Sequence, residues 1–123
     1  MEDPLKVLQA LPNLMQLRLH DGYGGEQLHI EGGGFQKLKF LGLYNSGGLN
    51  RLIIDEGALP LLERLAIREC PQLKEVPSGI HHLKSLKKLY FTEMQTEFVL
   101  RTHGNYYESY KLGDSELLKR LQR

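Results

Sequence analysis

Three groups of residues could carry chemistry: the only cysteine, five histidines and a cluster of glycines. Cys70 is followed at once by Pro71, in the stretch "RECPQLKEVPSGI". A reactive thiolate needs an electropositive, partly exposed setting, whereas a thiol buried in apolar surroundings is inert. A lone cysteine also excludes an intrachain disulfide and any zinc site built on paired cysteines. We interpret Cys70 as a packing residue, for reasons that the repeat pattern supplies below.

The histidines show no spacing typical of a metal site. They are His20, His29, His81, His82 and His103. A metal site needs at least three converging ligands, and the adjacent His81 and His82 are expected to point their rings apart. A Ser-His-Asp arrangement is compatible with the residue types, but the chain has no G-x-S-x-G elbow. We predict no metal, no cofactor and no enzymatic activity, with a hydrolase kept as an alternative.

The glycine cluster lies in "DGYGGEQLHIEGGGF", from Asp21 to Phe35. A phosphate-binding loop would need G-x-x-x-x-G-K-[ST], which is missing, and the G-x-G-x-x-G pattern fails because position 27 is Gln. Glycines at this density favour a connecting loop over a helix. We interpret the segment as the return loop of a repeat.

Composition excludes several classes of partner. The 16 basic and 15 acidic residues nearly cancel, to a net charge of +1, and tryptophan is absent, so we predict no nucleic-acid binding. No stretch approaches the length of about 18 apolar residues that a membrane span requires. The start, "MEDP", lacks the regions of a signal peptide. We therefore expect a cytoplasmic chain without a membrane span.

The elements that position these residues follow from an internal repeat. The motif L-x-x-L-x-L, in which the last position is Leu, Ile or Phe, begins at residues 14, 38, 62 and 86, with the same spacing each time. A further apolar column lies three residues upstream and contains Leu11, Phe35, Leu59 and Leu83. A period of 24 lies within the range of leucine-rich repeats, in which each turn contributes one short parallel strand.

The sequence therefore predicts an α/β leucine-rich-repeat solenoid of about four repeats, each about 24 residues long. A short parallel sheet would line the concave side, and loops and short helices the convex side. We divide the chain into a repeat domain at 1–100 and a closing segment at 101–123, with a short amphipathic helix over residues 114–121. Asp3 and Pro4 are typical of a helix start, before an apolar run over residues 5–11.

The convex path should supply its own inward residues. These are Leu28, Leu52, Val76 and Leu100, which recur with the same period. Cys70 lies in the column with Gly22, Ser46 and Met94, separated by two residues from the end of each strand motif, where leucine-rich repeats place a small residue in the core. A small, apolar, weakly donating thiol suits such a corner. Pro77 should stop further strand pairing on the return path, because proline has no N–H to donate.

The outward residues of the four predicted strands form a single concave face. Its aromatic rings and arginines are of the types enriched at protein interfaces, and an exposed Phe40 would be unusual on a solvated sheet. Alternatively, these side chains form a solvated surface in which neighbours such as Arg68 and Glu69 neutralise each other. We predict a partner-binding surface of Gln16, Arg18, His20, Phe40, Tyr44, Arg64, Arg68, Lys88 and Tyr90.

The segment from Leu62 to Phe91, "LERLAIRECPQLKEVPSGIHHLKSLKKLYF", resembles the leucine-rich-repeat region of plant nucleotide-binding disease-resistance receptors. The matching positions are Cys70, Leu73, Val76, Pro77, Ile80, Leu83, Leu86 and Leu89. "LPNLMQLRL" and "GGFQKLKFLGL" are similar to the same family, particularly its coiled-coil class. The family's nucleotide-binding domain and N-terminal signalling domain have no counterpart here, so nucleotide binding is not carried over.

The resemblance implies a recognition module of a plant intracellular immune receptor. Its partner would be a pathogen effector or a guarded host protein and, in a full-length receptor, the nucleotide-binding domain in cis, which the repeats restrain. A substrate adaptor for ubiquitin ligation, also built on leucine-rich repeats, is the main alternative. No F-box-like helical segment precedes the repeats, which favours the receptor.

Overall fold

The computed structural model describes residues 4–21, 25–92 and 110–111 of the chain. The elements are α1 (Pro4–Gln9), β1 (Gln16–His20), β2 (Gln27–Ile30), β3 (Phe40–Tyr44), β4 (Arg51–Ile54), β5 (Arg64–Arg68), a 3₁₀ turn (Ile80–His82), β6 (Lys88–Thr92) and β7 (Tyr110–Lys111). A five-stranded sheet has the order β1-β3-β5-β6-β7, and a two-stranded sheet pairs β2 with β4.

The strand register follows the repeat. Gln16 pairs with Phe40, Phe40 with Arg64 and Arg64 with Lys88, so each step to the next parallel strand is one full repeat. Leu65 and Ile67 of β5 are fully buried, while Arg64 and Arg68 on the same strand are exposed, as the period of two requires. The predicted fold class is confirmed: the chain is a parallel-strand solenoid of about three turns with few helices.

The convex side differs from the prediction in one respect. Where we expected loops and short helices, β2 and β4 form a second parallel ladder, in which Gln27 pairs with Arg51, its equivalent in the next repeat. Leu28 and Ile30 are buried while Gln27 and His29 are exposed, so the segment alternates as a strand does. The glycines around it bend the chain, and the equivalent strand of the next repeat supplies the hydrogen-bond partners.

Pro77 shortens this second ladder without ending it. A single parallel bridge joins Ile53 to Ser78: Ile54 donates to the Ser78 carbonyl at 2.8 Å, and Ser78 donates to the Leu52 carbonyl at 2.9 Å. The repeat period would have placed Pro77 opposite Ile53. Because proline has no N–H to donate there, the bridge forms one residue later. The prediction that strand pairing stops at Pro77 was therefore wrong, since one bridge still forms.

The core lies between the two sheets. The strand motifs of the inner repeats and the convex Leu28 and Leu52 contribute to one cluster, in which Leu41, Leu65 and Leu89 are at most 1% exposed. Val76 is only partly buried against this cluster, and Leu100 lies outside the described residues. The inward residues of the first strand, such as Leu17 and Leu19, are also only partly buried, because no described repeat packs on that side of β1.

Gln9 closes the convex ladder at its N-terminal end. Its side-chain nitrogen donates to the His29 carbonyl at 3.2 Å, and its side-chain oxygen accepts from the Glu31 N–H at 3.1 Å. The amide therefore replaces the peptide group that a preceding strand would offer to β2. A Cβ on Gly34 would lie 2.5 Å from the Gln9 oxygen, so the glycine makes room for this contact. The predicted helix start at Pro4 places Gln9 at the end of α1.

The turns at the ends of the concave strands are left-handed at regular intervals. Asp21, Asn45 and Glu69 have φ of 51°, 54° and 51°, and they follow β1, β3 and β5 directly. The Asp21 N–H donates to the Tyr44 carbonyl and the Asn45 N–H to the Arg68 carbonyl, each at 3.0 Å. These bonds extend the ladder by one residue while the chain turns away, which offsets the cost of this conformation for a residue with a Cβ.

At the C-terminal end, β7 pairs antiparallel with β6. Lys111 lies opposite Lys88 and Tyr110 opposite Leu89, so this segment covers part of the last parallel strand. The domain boundary at residue 100 stays a prediction. The amphipathic helix predicted over residues 114–121 lies outside the described residues.

Candidate functional site

Cys70 lies at a buried corner and has no exposed surface. Its sulfur is 3.6 Å from the Arg68 carbonyl oxygen and 3.8 Å from the Leu43 carbonyl oxygen, the two acceptors that face the weakly donating S–H. Burial raises the pKa of the Cys70 thiol, and a backbone hydrogen bond from Ser46 only partly offsets this. A protonated, enclosed thiol is a poor nucleophile, so the predicted packing position of Cys70 is confirmed.

Ser46 occupies the same column one repeat earlier and is 1% exposed. Its hydroxyl oxygen has no hydrogen-bond partner in the part of the chain that the structure describes. A buried hydroxyl without a partner costs about 1–3 kcal/mol. The other two members of the column, Gly22 and Met94, lie outside the described residues.

We expect Ser46→Cys to raise the free energy of unfolding by about 1 kcal/mol, because a thiol at a buried corner has little desolvation cost. Urea unfolding followed by circular dichroism measures the change. Ser78→Cys is the matched control: Ser78 is exposed, and its substitution should change stability by less than about 0.5 kcal/mol. A loss of stability in Ser46→Cys would contradict this account of the corner.

The histidines do not form a catalytic or metal-binding group among the described residues. Nε2 of His29 lies 2.8 Å from Oδ1 of Asp55, and this hydrogen bond lowers the pKa of the Asp55 carboxyl. Both side chains are more than 40% exposed, on the convex side. His81 and His82 do not point apart as expected: the 3₁₀ turn buries Ile80 and leaves the two rings in contact, with centroids 4.2 Å apart. Within residues 4–21, 25–92 and 110–111, no three His, Cys, Asp or Glu side chains converge.

The concave face is assembled by the register of β1, β3, β5 and β6. One row is Gln16, Phe40, Arg64 and Lys88, the next Arg18, Gly42, Ala66 and Tyr90, and the third His20, Tyr44, Arg68 and Thr92. The structure thus places all the predicted partner-binding residues on the same side of one sheet. Arg18, Arg64 and Lys88 are exposed, while Tyr44 and Tyr90 are half-buried.

Phe40 is not the exposed residue we expected. It is 7% exposed, because the Arg18 and Arg64 side chains from the flanking strands lie over its ring. The guanidinium carbons are 4.5 Å and 5.4 Å from the ring centroid, within the range of a cation–π contact. Phe40 therefore supports the two arginines, and these arginines, rather than the phenyl ring, form the surface at the centre of the face.

Gly42 leaves space for the Tyr44 ring to lie against the sheet. We did not predict this role for the glycine. A Cβ on Gly42 would lie 2.5 Å from the Tyr44 hydroxyl and 2.7–2.8 Å from ring carbons, so the ring lies directly over the glycine. The His20 ring packs on Tyr44 from the neighbouring strand, with centroids 4.7 Å apart. A glycine inside a predicted strand is the signal that could have found this close approach.

An open depression of about 450 Å³ lies at the C-terminal ends of these strands. Its lining residues are Arg18, His20, Tyr44, Asn45, Arg68 and Glu69. Nε of Arg68 is 3.4 Å from Oε1 of Glu69, the pairing that the solvated-surface alternative predicted. Arg18 and Arg64 have a different environment, since they stack on Phe40.

Comparison with known proteins gives the relatives of the chain. It is 37% identical over 98 residues, or 79% of its length, to the probable disease resistance RPP8-like protein 4 of Arabidopsis thaliana. It is 34% identical over 79% of its length to the disease resistance protein RPP8 of the same plant. The homologues of this chain are plant disease resistance proteins. A third, the probable disease resistance protein RF45 of Arabidopsis thaliana, is 31% identical over 121 residues, 98% of the chain.

The homology to plant disease resistance proteins covers most of the chain but little of the relatives. The chain spans only 11–12% of the length of these three curated proteins. The homology and the solenoid fold are together consistent with the leucine-rich-repeat region of such receptors. No protein-family model matches the chain, and neither does any solved structure. In the described part of the chain, no helix has the length and apolar character needed to cross a membrane.

Proposed function

We propose that the chain is a non-enzymatic recognition module of a plant immune receptor and binds a protein partner through its concave face. The observation that carries the proposal is the arrangement of the exposed arginines around packed aromatic rings on one sheet face. Arginine and tyrosine are the residue types that most often dominate the binding energy at protein interfaces. A role in plant immunity follows from the disease resistance homologues.

The partner class follows from the receptor family. The module senses a pathogen effector or a guarded host protein, and in a full-length receptor it also contacts the nucleotide-binding domain in cis and restrains the switch. Such a module acts in the cytoplasm. The concave face suits both contacts, since stacked parallel strands present side chains at regular intervals to a partner.

The environments of the cysteine and of the His29–Asp55 pair support a non-enzymatic function. The Cys70 thiol is enclosed, and burial raises its pKa. The His29–Asp55 pair is solvent-exposed on the convex side, where water weakens the electrostatic interactions that an active site would use to stabilise a transition state. Nothing in either environment activates a nucleophile.

Site-specific photo-crosslinking in plant leaf tissue tests the proposal. A benzophenone amino acid at Tyr90 should give a discrete adduct with a partner protein on irradiation, because Tyr90 lies on the concave face of β6. Arg64→Ala and Arg68→Ala should each reduce that adduct by about tenfold, as expected for an interface hot spot worth at least about 1.4 kcal/mol. The circular dichroism spectrum should not change.

The matched control places the same crosslinker at Arg51, which is exposed on β4 of the other sheet. We expect this position to give no adduct with the same protein. Adducts from Arg51 alone, or a concave adduct that survives both arginine substitutions, would contradict recognition through the concave face.

A further inference from the structure

We propose that the concave face recognises an acidic, extended segment of its protein partner. This inference rests on the proposed function and adds the chemistry of the bound segment. It follows from the charge of the face, from the way its arginines are held, and from the spacing of its strands.

The face carries more positive than negative charge. Its twelve outward positions contain four cationic side chains and no carboxylate. The cations are Arg18, Arg64, Arg68 and Lys88. Among the described residues, the carboxylates that directly follow these strands lie at the rim, where Asp21 and Glu69 are in left-handed turns. In a chain with a net charge of +1, these twelve positions therefore carry an excess of positive charge, which favours a negatively charged ligand.

Three of the four cations are available to a carboxylate. Ion pairs such as Arg68–Glu69 and Lys87–Glu63 occur in the part of the chain that the structure describes, but none there involves Arg18, Arg64 or Lys88. Besides its contact with Phe40, Arg18 donates a hydrogen bond to the neutral Gln16 side chain, at 3.3 Å. The paired N–H donors of each guanidinium group can bind both oxygens of one carboxylate.

Phe40 prepares the two arginines for this contact. Each guanidinium carbon lies over the ring at a cation–π distance. Because a guanidinium group has five N–H donors, such a contact leaves donors for a ligand. It also restrains two long side chains before binding, which lowers the entropy lost on association. A contact over a largely apolar base is less screened than one in open water.

The spacing suits an extended chain that crosses the strands. Neighbouring strands lie about 4.8 Å apart, so Arg18 on β1 and Arg64 on β5 belong to strands about 9.6 Å apart. Three residues of an extended peptide cover about 10 Å. Lys88 is one further strand away, and a segment with acidic residues two or three positions apart reaches Arg18, Arg64 and Lys88 in turn.

A protein segment fits better than a single-stranded nucleic acid, although both carry negative charge. Binding of unpaired bases relies on exposed aromatic rings as stacking surfaces. Phe40 is covered by its arginines, and the Tyr44 ring lies over Gly42 with His20 packed beside it. The chain also has no tryptophan.

Fluorescence anisotropy with defined probes tests the proposal on the full chain. The probe is a labelled peptide of about twelve residues that alternates glutamate and serine, in about 50 mM salt, where a Debye length of roughly 14 Å leaves surface charges only partly screened. The control peptide has glutamine in place of every glutamate. We expect saturable binding of the acidic peptide and at least about tenfold weaker binding of the glutamine peptide.

Charge reversal locates the site. Arg64→Glu with Lys88→Glu should weaken binding of the acidic peptide by at least about tenfold. Arg51→Glu with Lys37→Glu changes the net charge by the same amount at exposed positions outside the concave face and should weaken it less than about twofold. Arg64→Glu could also disturb the contact of Arg64 with Phe40. Lys88→Glu alone leaves that contact intact and should still weaken binding of the acidic peptide. Melting curves of all variants show whether they remain folded.

Three outcomes overturn the proposal: no saturable binding of the acidic peptide, equal loss in both double variants, or equally tight binding of a single-stranded RNA with the same number of charges. Photo-crosslinking separates this failure from failure of the proposed function. If the Tyr90 adduct forms and is reduced by Arg64→Ala and Arg68→Ala, but the acidic peptide does not bind, the face binds a protein by other chemistry. If the acidic peptide binds but Tyr90 gives no adduct in leaf tissue, the proposed function fails instead.

Discussion

Leu65→Ala should lower the free energy of unfolding by about 2–5 kcal/mol, the usual cost of truncating a buried leucine. Leu65 is fully buried on β5 and pairs with Leu41 on one side and Leu89 on the other. Its loss therefore weakens two repeat interfaces at once, in a fold where each repeat contacts only its neighbours. We expect a melting temperature lower by about 10 °C or more, measured by circular dichroism.

Leu61→Ala is the matched control for Leu65→Ala, because Leu61 is 43% exposed and undergoes the same chemical change. Its stability should fall by less than about 1 kcal/mol. An unchanged melting temperature in Leu65→Ala would contradict the assignment of this leucine to the core between repeats.

Gly79→Ala should destabilise the chain by more than about 2 kcal/mol, for two separate reasons. Gly79 has φ of 86°, a left-handed conformation that costs an alanine about 1–2 kcal/mol. A Cβ here would also overlap the backbone carbonyl oxygen of Ile54. That backbone is fixed, since the Ile54 N–H donates to Ser78 at 2.8 Å and Ile54 pairs with Ile30 in the ladder.

Two glycines separate these contributions. Gly33 has nearly the same φ, 87°, but a Cβ there would meet no atom within 4 Å, so Gly33→Ala measures the conformational cost alone. Gly47 has equally open space and no left-handed φ, and Gly47→Ala should leave stability almost unchanged. Urea unfolding of the three variants should rank Gly79→Ala as the most destabilised. Equal losses at Gly79 and Gly33 would show that the Ile54 backbone accommodates the added methyl group.

The parallel sheet could be predicted from the sequence because one spacing determines both burial and register. A motif repeated at a strict period can stack only if equivalent positions become neighbours, and Gln16, Phe40, Arg64 and Lys88 do pair in that order. The same argument placed Cys70 at a buried corner. Both conclusions concern backbone position, which a strict period specifies directly.

The convex ladder could not be predicted with the same certainty. Its strands are four residues long, and glycines precede and follow the first of them, so local propensity favoured a loop. The strand forms because a second strand with the same inward residues lies beside it. Such pairing is a property of the assembled repeats rather than of either segment.

The candidate site was predicted as a set of residues, and its surface was predicted wrongly at Phe40. The period of two correctly placed this side chain on the outward side of the sheet. Whether an outward side chain is exposed depends on its neighbours across the strands, and here two arginines cover the ring. The closure by Gln9 was missed for a related reason, since its partners lie 20 and 22 residues further along the chain.

By itself, the sequence determined the class of fold, the strand register, the buried corner at Cys70 and the resemblance to disease resistance receptors. These follow from a spacing that any stacked arrangement must satisfy. Only the tertiary structure decided that Phe40 lies beneath Arg18 and Arg64, that the Tyr44 ring rests on Gly42, and that the ladder passes Pro77 by one residue. Side-chain packing between strands depends on distances set by the whole solenoid, and no local pattern encodes those distances.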